Sequence, residues 1–112
     1  MEKTVTIAAS ASLSDAVDTW SQPSGFRLLG ITMPAAWTAA VLTFQSCHTS
    51  GGTYKNVYAA DGSEFIVQAS TDRHIVVDPQ DFEGCRYLKV RSGTSGTPVT
   101  QAAAAKISLI LD

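Results

Sequence analysis

Charge is scarce in this sequence. Asp, Glu, Lys and Arg make up 16% of its 112 residues, whereas an average globular domain has about 25%. The formal net charge is −2, and the basic residues are scattered apart from a short cluster at Arg86, Lys89 and Arg91. A nucleic-acid binder usually carries a basic stripe or a high pI, so we expect no nucleic-acid partner. A surface poor in charge and rich in small residues suits an assembled particle or an extracellular setting better than a free cytoplasmic enzyme.

Long apolar runs are also absent. No segment approaches the roughly 18 consecutive apolar residues of a membrane span, so we expect no membrane insertion. Residues 1–4 lead directly into an alternating segment, without the basic and then apolar pattern of a signal peptide. We therefore expect the chain to be made and first folded in the cytoplasm, and to leave the cell, if it does, by another route.

Cysteine and histidine are rare, with two of each. Cys47 and Cys85 lack metal-ligand spacing and form no C-x-x-C motif. They are either two buried thiols or a disulfide, within the chain or between neighbours, formed in an oxidising medium. His48 lies beside a Gly-rich turn and His74 opens a strand, so both are interpreted as surface residues. Because the chain also lacks a G-x-S-x-G elbow, a P-loop and an H-E-x-x-H motif, we expect no enzyme activity and no cofactor.

The acidic residues form no recognisable catalytic or metal-binding motif. Residues 78–84 carry three of them, Asp78, Asp81 and Glu83. Such a loop could hold Ca²⁺, which binds several carboxylate and carbonyl oxygens on flexible loops, but the EF-hand spacing is missing. Helix capping and turn formation explain these acids more simply, so we predict no metal site.

Apolar and polar residues alternate along most of the chain, which is the pattern of half-buried strands. The clearest example is the last segment, in which Ile107, Leu109 and Leu111 face inward. Asp61-Gly62 is the strongest hairpin signal, because glycine accepts the positive φ that such turns need, and residues 21–25 predict a further turn. Strands are predicted at residues 4–8, 26–33 (with a local kink at Gly30 as one interpretation), 41–47, 53–58, 64–68, 73–78, 85–91 and 106–111.

About eight short strands separated by turns predict an all-β antiparallel β-sandwich, jelly-roll-like, within a single domain at residues 1–112. Residues 100–105 are rich in alanine, the best helix former. The segment is short and follows Pro98, so we predict a loop or extended chain there. Trp37, beside two alanines at a strand entry, is expected to plug the core.

Aromatic side chains on sandwich loops commonly stack on sugar rings or anchor a protein interface. Tyr87 alternates outward with Lys89 and Arg91 along the strand at residues 85–91, while Leu88 and Val90 alternate inward. The candidate ligand or interface residues are therefore Tyr54, Tyr58, Tyr87, Lys89 and Arg91.

Part of the chain resembles the galactose-binding-like (discoidin-type) jelly rolls. The resemblance lies in residues 42–46, in the Gly-Gly-Thr-Tyr turn and strand start at residues 51–54, and in residues 86–91. The family's usual acidic residue before the turn glycine is replaced by Ser50, so we carry over no ligand residues.

A second resemblance extends over nearly the whole chain. Residues 30–40 (GITMPAAWTAA) and 88–99 (LKVRSGTSGTPV) are similar to a group of small proteins encoded among the virion structural genes of tailed bacteriophages and prophages. The resemblance implies a virion component, namely a capsid decoration protein, a head or collar fibre, or a tail accessory protein. It transfers no functional residues.

The partners that this resemblance implies are copies of the chain itself and phage capsid or tail proteins. A symmetric homo-oligomer is expected, with a trimer favoured, because capsid and spike sites have matching symmetry. The N-terminal strand or residues 92–105 would be the arm that reaches a neighbour. The alternative function is a carbohydrate-binding module that attaches the particle to host-surface glycans.

Overall fold

The computed structural model describes residues 1–20 and 27–112. Within these residues the chain forms two antiparallel sheets of four strands each. The strands are β1 Glu2–Ile7, β2 Val17–Asp18, β3 Leu28–Thr32, β4 Leu42–Cys47, β5 Lys55–Asn56, β6 His74–Val76, β7 Tyr87–Ser92 and β8 Ala105–Leu111.

The order of the strands in space is that of a jelly roll. One sheet runs β1-β8-β3-β6 and the other β2-β7-β4-β5. The first strand pairs with the last, the second with the seventh, the third with the sixth and the fourth with the fifth. A long antiparallel ribbon that is folded once and wrapped around itself gives this pairing. The predicted antiparallel, jelly-roll-like sandwich of about eight strands is confirmed.

The core lies between the inner faces of the two sheets. Alternate residues of β8 point into it, and Ile107, Leu109 and Leu111 are at most 1% exposed, as the alternation predicts. Full burial of one such side chain contributes about 1.5–3 kcal/mol. From the other sheet Phe44 meets Phe82 edge to face, with ring centroids 5.2 Å apart, an arrangement that aromatic rings favour over direct stacking.

A kink in β3 occurs where the sequence places glycine. The register between β3 and β8 shifts between Leu28 and Gly30. A Cβ on Gly30 would lie 2.8 Å from Cε1 of His74 on the neighbouring strand, so only glycine leaves room for that ring. His74 Nδ1 lies 2.9 Å from Thr32 Oγ1, and His74 is exposed, as predicted for a surface residue.

The segment between β4 and β6 differs most from the prediction. The strand predicted at residues 64–68 is wrong, because this stretch makes only isolated bridges, Tyr58 to Glu64 and Leu42 to Val67. Because Glu64 and Val67 bridge to different parts of the chain, this stretch forms no continuous strand pairing. The strand predicted at residues 53–58 is reduced to Lys55–Asn56. Conversely, the two residues of β2 show no alternating pattern and were not predicted.

Two turns in the described part of the chain agree with the predictions. Gly62 has a φ of 94°, and the Ala59 amide nitrogen donates to Ser63 O at 2.8 Å, which confirms the predicted hairpin turn. A 3₁₀ turn at Pro79–Phe82 begins with Asp78 as its N-cap, as expected from a capping role. The turn predicted at residues 21–25 lies outside the described residues. Among the described residues, no helix is long and apolar enough to cross a membrane.

Candidate functional site

Two segments far apart in the sequence meet at one end of the sandwich. Residues 34–41 connect β3 to β4, and residues 93–103 follow β7; together we call them the loop end. Gln101 is 1% exposed and binds both backbone groups of Thr38. The Thr38 nitrogen donates to Gln101 Oε1 at 2.8 Å, and Gln101 Nε2 donates to Thr38 O at 3.1 Å. Because the Ala102 nitrogen also donates to Thr38 Oγ1 at 3.1 Å, the two segments form one surface.

The first residue of the 93–103 segment is fixed by its backbone. Gly93 has a φ of 86°, in the left-handed region that glycine adopts without strain. Its nitrogen donates to Val41 O at 2.8 Å, and its carbonyl oxygen accepts from Thr43 Oγ1 at 2.7 Å. Residues 92–105, one of the two segments predicted as an arm, lie folded against the start of β4, and the other, the N-terminal strand β1, pairs with β8.

A shallow cleft of about 230 Å³ opens on the loop end. Trp37 is half-buried and packs against the core, as predicted, and its Nε1 lies 3.4 Å from Ala40 O. Pockets for drug-sized ligands span about 300–1,000 Å³, so this cleft is smaller than the usual site for such a ligand. Its lining is one aromatic ring, two polar residues and three alanines, namely Trp37, Thr38, Gln101, Ala36, Ala102 and Ala103.

A second surface lies at the opposite end of β7, on the outer side of the β2-β7-β4-β5 sheet. Lys89 Nζ lies 4.4 Å from the centre of the Tyr54 ring. The guanidinium carbon of Arg86 lies 4.8 Å from the Tyr87 ring centre and 5.4 Å from that of Trp20. Cations attract the faces of aromatic rings electrostatically, so rings and cations hold each other in place. We call these five residues the aromatic–cation face.

Asp18 on β2 adds a carboxylate to this face. Its Oδ1 accepts from Arg86 Nε at 3.2 Å, and its Oδ2 accepts from Arg86 Nη2 at 3.3 Å. The hydrogen-bonded guanidinium lowers the pKa of Asp18, and the Asp18 carboxylate in turn raises the pKa of Arg86. Burial raises the pKa of the Tyr54 phenol, so the phenol stays neutral and can donate a hydrogen bond.

Three of the five predicted candidates come together. Tyr54, Tyr87 and Lys89 are half-buried members of the aromatic–cation face. Tyr58 is 55% exposed but lies apart, beside the Asp61-Gly62 hairpin. Trp20 and Arg86 also belong to this face, although they are not among the five predicted ligand or interface residues.

The prediction that Arg91 is an exposed candidate is wrong. It occupies the outer side of β7, as alternation requires, but it is only 7% exposed. Its Nη1 lies 3.3 Å from Glu64 Oε2, and its Nη2 donates to Asn56 Oδ1 at 2.6 Å. Glu64 also accepts from the Ser95 nitrogen at 3.1 Å. The irregular 57–67 segment and the loop after β7 therefore fold over Arg91, and its role is to hold them.

Both cysteines are free and buried, so the structure contains the alternative of two thiols. Cys47 Sγ donates to Thr49 O at 3.0 Å. Burial raises the pKa of the Cys85 thiol, which keeps it protonated and unreactive. Disulfide formation between neighbouring copies stays a prediction.

The titratable residues do not gather around a reactive centre in the described ranges. His48 is exposed, and its ring centroid lies 6.5 Å from that of Trp20. Asp78 Oδ1 accepts from the Gln80 nitrogen at 3.1 Å, which is a capping contact. Residues 1–20 and 27–112 contain no cluster of three or more His, Cys, Asp or Glu that could hold a metal ion.

No protein-family model, curated protein or solved structure matches this chain.

Proposed function

We propose that this chain is a structural component of tailed-bacteriophage virions, of the capsid decoration, head-fibre, or collar or tail accessory type, and that it docks through the loop end. The observation that carries the proposal is the meeting of two distant segments. The stretches that resemble phage virion proteins, residues 30–40 and 88–99, converge there, where Gln101 ties Thr38 to the segment after β7.

The composition of the loop end supports a docking role. Residues 34–41 and 93–103 contain no Asp, Glu, Lys or Arg, and the centres of protein interfaces are depleted in charged residues. Ala36, Ala102 and Ala103 are exposed beside Trp37, so a partner backbone can approach closely and insert a side chain into the cleft. The partner is a capsid or tail protein, and a symmetric homo-oligomer, with a trimer favoured, matches the symmetry of such sites.

Placing a charge in the cleft tests this function. Ala102→Arg adds a long cation to the uncharged surface, and Ala60→Arg adds the same cation at an exposed position on the Asp61-Gly62 hairpin. Particles are purified from a host that carries the phage genome with each variant, and the chain is quantified against the major capsid protein by mass spectrometry. Burying an unpaired charge at an interface is expected to reduce incorporation at least about tenfold for Ala102→Arg.

The control variant Ala60→Arg is expected to incorporate like the wild type. Absence of the wild-type chain from purified particles would end the virion proposal. Equal incorporation of all three chains would retain the virion assignment and remove the loop end as the docking surface.

A second candidate function, saccharide binding, is favoured by the aromatic–cation face. Trp20, Tyr54 and Tyr87 lie on the outer side of one sheet together with the polar residues Gln45 and Asn56. Aromatic rings with polar groups around them are a common arrangement for holding sugars. This function is compatible with the first, since the face lies at the opposite end of β7 from the loop end, and a docked chain would present it outward.

A further inference from the structure

The aromatic–cation face is locally positive on an acidic chain. Arg86 and Lys89 belong to it, and Lys3 Nζ reaches its edge, where it donates to Asp18 O at 3.2 Å. Asp18 contributes one carboxylate beside these cations, and the chain as a whole has a formal net charge of −2. Glu64 is engaged by the buried Arg91. The face therefore attracts anions against the background of the whole molecule.

Lys89 is the cation best placed to bind a ligand. Its ammonium is held over the Tyr54 ring at 4.4 Å, and among the described residues no carboxylate forms an ion pair with it. A cation held by a ring loses less side-chain freedom when it pairs with a ligand, which favours binding.

The positions of Arg86 and Lys89 also favour acidic sugars over neutral ones. Arg86 lies over both Tyr87 and Trp20, and Lys89 lies over Tyr54. A neutral sugar that stacks on the ring face covered by a cation must first displace that cation. A carboxylate or phosphate can instead pair with the cations where they are, and such charge-assisted hydrogen bonds are the stronger kind.

We propose that the aromatic–cation face binds an acidic polysaccharide, with Lys89 and Arg86 contacting its carboxylate or phosphate groups. This inference rests on the saccharide-binding candidate above. Tyr54 and the neighbouring amides Gln45 and Asn56 supply hydrogen bonds to sugar hydroxyls. Asp18 holds Arg86 in position through two hydrogen bonds.

The test is binding of the purified full chain to four polymers of similar size by isothermal titration calorimetry. Polygalacturonate carries carboxylates, a poly(glycerol phosphate) teichoic acid carries phosphodiesters, dextran is neutral, and polyglutamate is an acidic peptide. Binding is expected to one or both of the acidic sugar polymers, with affinity that falls as salt rises. The preferred polymer shows which anion the face accepts.

Lys89→Gln is expected to weaken that binding about tenfold, as the loss of one charge-assisted contact implies. Lys106→Gln removes the same charge from an exposed position on β8 and is expected to leave the affinity within about twofold. An equal loss in both variants would mean unspecific attraction and would overturn the site.

The remaining outcomes separate the proposals. Binding to dextran alone would overturn the acidic preference and keep saccharide binding. Binding to polyglutamate as tight as to the sugar polymers would assign the face to an acidic protein partner and overturn the inference. Failure to bind any of the four polymers would overturn both the inference and the saccharide-binding candidate, and would leave the virion proposal unaffected.

Discussion

Gln101 satisfies both backbone polar groups of Thr38, a residue 63 positions earlier in the chain. The side-chain amide accepts from the Thr38 nitrogen at 2.8 Å and donates to the Thr38 carbonyl oxygen at 3.1 Å. It therefore replaces the hydrogen bonds that the backbone of a neighbouring strand would make. Since Gln101 is 1% exposed, water cannot readily replace it. The uncharged loop end depends on this contact for its shape.

Gln101→Ala is expected to lower the free energy of unfolding by about 1–3 kcal/mol, because it leaves two sheltered backbone groups without partners. Urea denaturation followed by tryptophan fluorescence measures the change. Gln80→Ala, at an exposed position of the 3₁₀ turn, is the control and should stay within about 0.5 kcal/mol. Equal urea midpoints for the two variants would show that the contact between Gln101 and the Thr38 backbone does not stabilise the fold.

Gly93→Ala is expected to lower the free energy of unfolding by about 2 kcal/mol or more, because the new Cβ meets backbone and the φ is left-handed. The Cβ would lie 2.6 Å from Thr97 O and 2.6 Å from Val99 N. Gly96→Ala in the same loop is the matched control, since no atom lies within 4 Å of its added Cβ. Thermal unfolding by circular dichroism should separate the two, and identical melting temperatures would contradict the described turn.

Substitutions in the buried ion pair Arg91–Glu64 should lower the free energy of unfolding more than substitutions in an exposed ion pair. Its side chains are 8% and 12% exposed, whereas those of Arg27 and Asp112 are 49% and 37% exposed. Arg91→Met or Glu64→Leu alone is expected to cost about 3–5 kcal/mol by leaving a buried charge unpaired. The double variant should cost clearly less than the sum of the two.

Arg27→Met is the control for that cycle, with an expected loss of at most about 1 kcal/mol. Unfolding free energies from urea titrations complete the comparison. Additive losses at Arg91 and Glu64 would mean that the two side chains are not coupled in the folded protein.

Acid should destabilise the protein partly through Asp18. Its pKa is lowered in the folded state, mainly by its hydrogen bonds with Arg86. The resulting stability is fully present above the unfolded-state pKa of about 3.9 and is lost as the pH falls through the lower folded-state value. Asp18→Asn is therefore expected to make the unfolding free energy less steep in pH below about pH 4. Parallel curves for variant and wild type would exclude this contribution.

Much of the fold follows from short-range patterns in the sequence. The strict alternation of β8 and the apolar side chains of β4 identify their inner faces, because a strand repeats every second residue. The Asp61-Gly62 turn also follows from the positive φ that glycine permits, and Gly30 marks the register irregularity in β3. The strand β2 could not be predicted in this way, because two residues are too few to show an alternating pattern.

The two proposed binding surfaces were only partly predictable, since long-range contacts assemble them. Tyr87 and Lys89 are recognisable from alternation along one strand. The same rule assigns Arg91 to the surface, but it cannot show that Glu64 and Asn56, 27 and 35 residues away, cover it. The link between Gln101 and Thr38 leaves no local pattern at either residue.

A reconstruction by cryo-electron microscopy of particles from a host that carries this gene tests the central claim most directly. The account predicts density for the jelly roll in symmetric copies on the capsid, collar or tail, with the loop end around Trp37 and Gln101 against the particle and the aromatic–cation face towards solvent. Particles without this density, or with the aromatic–cation face buried against the particle and the loop end in solvent, would contradict it.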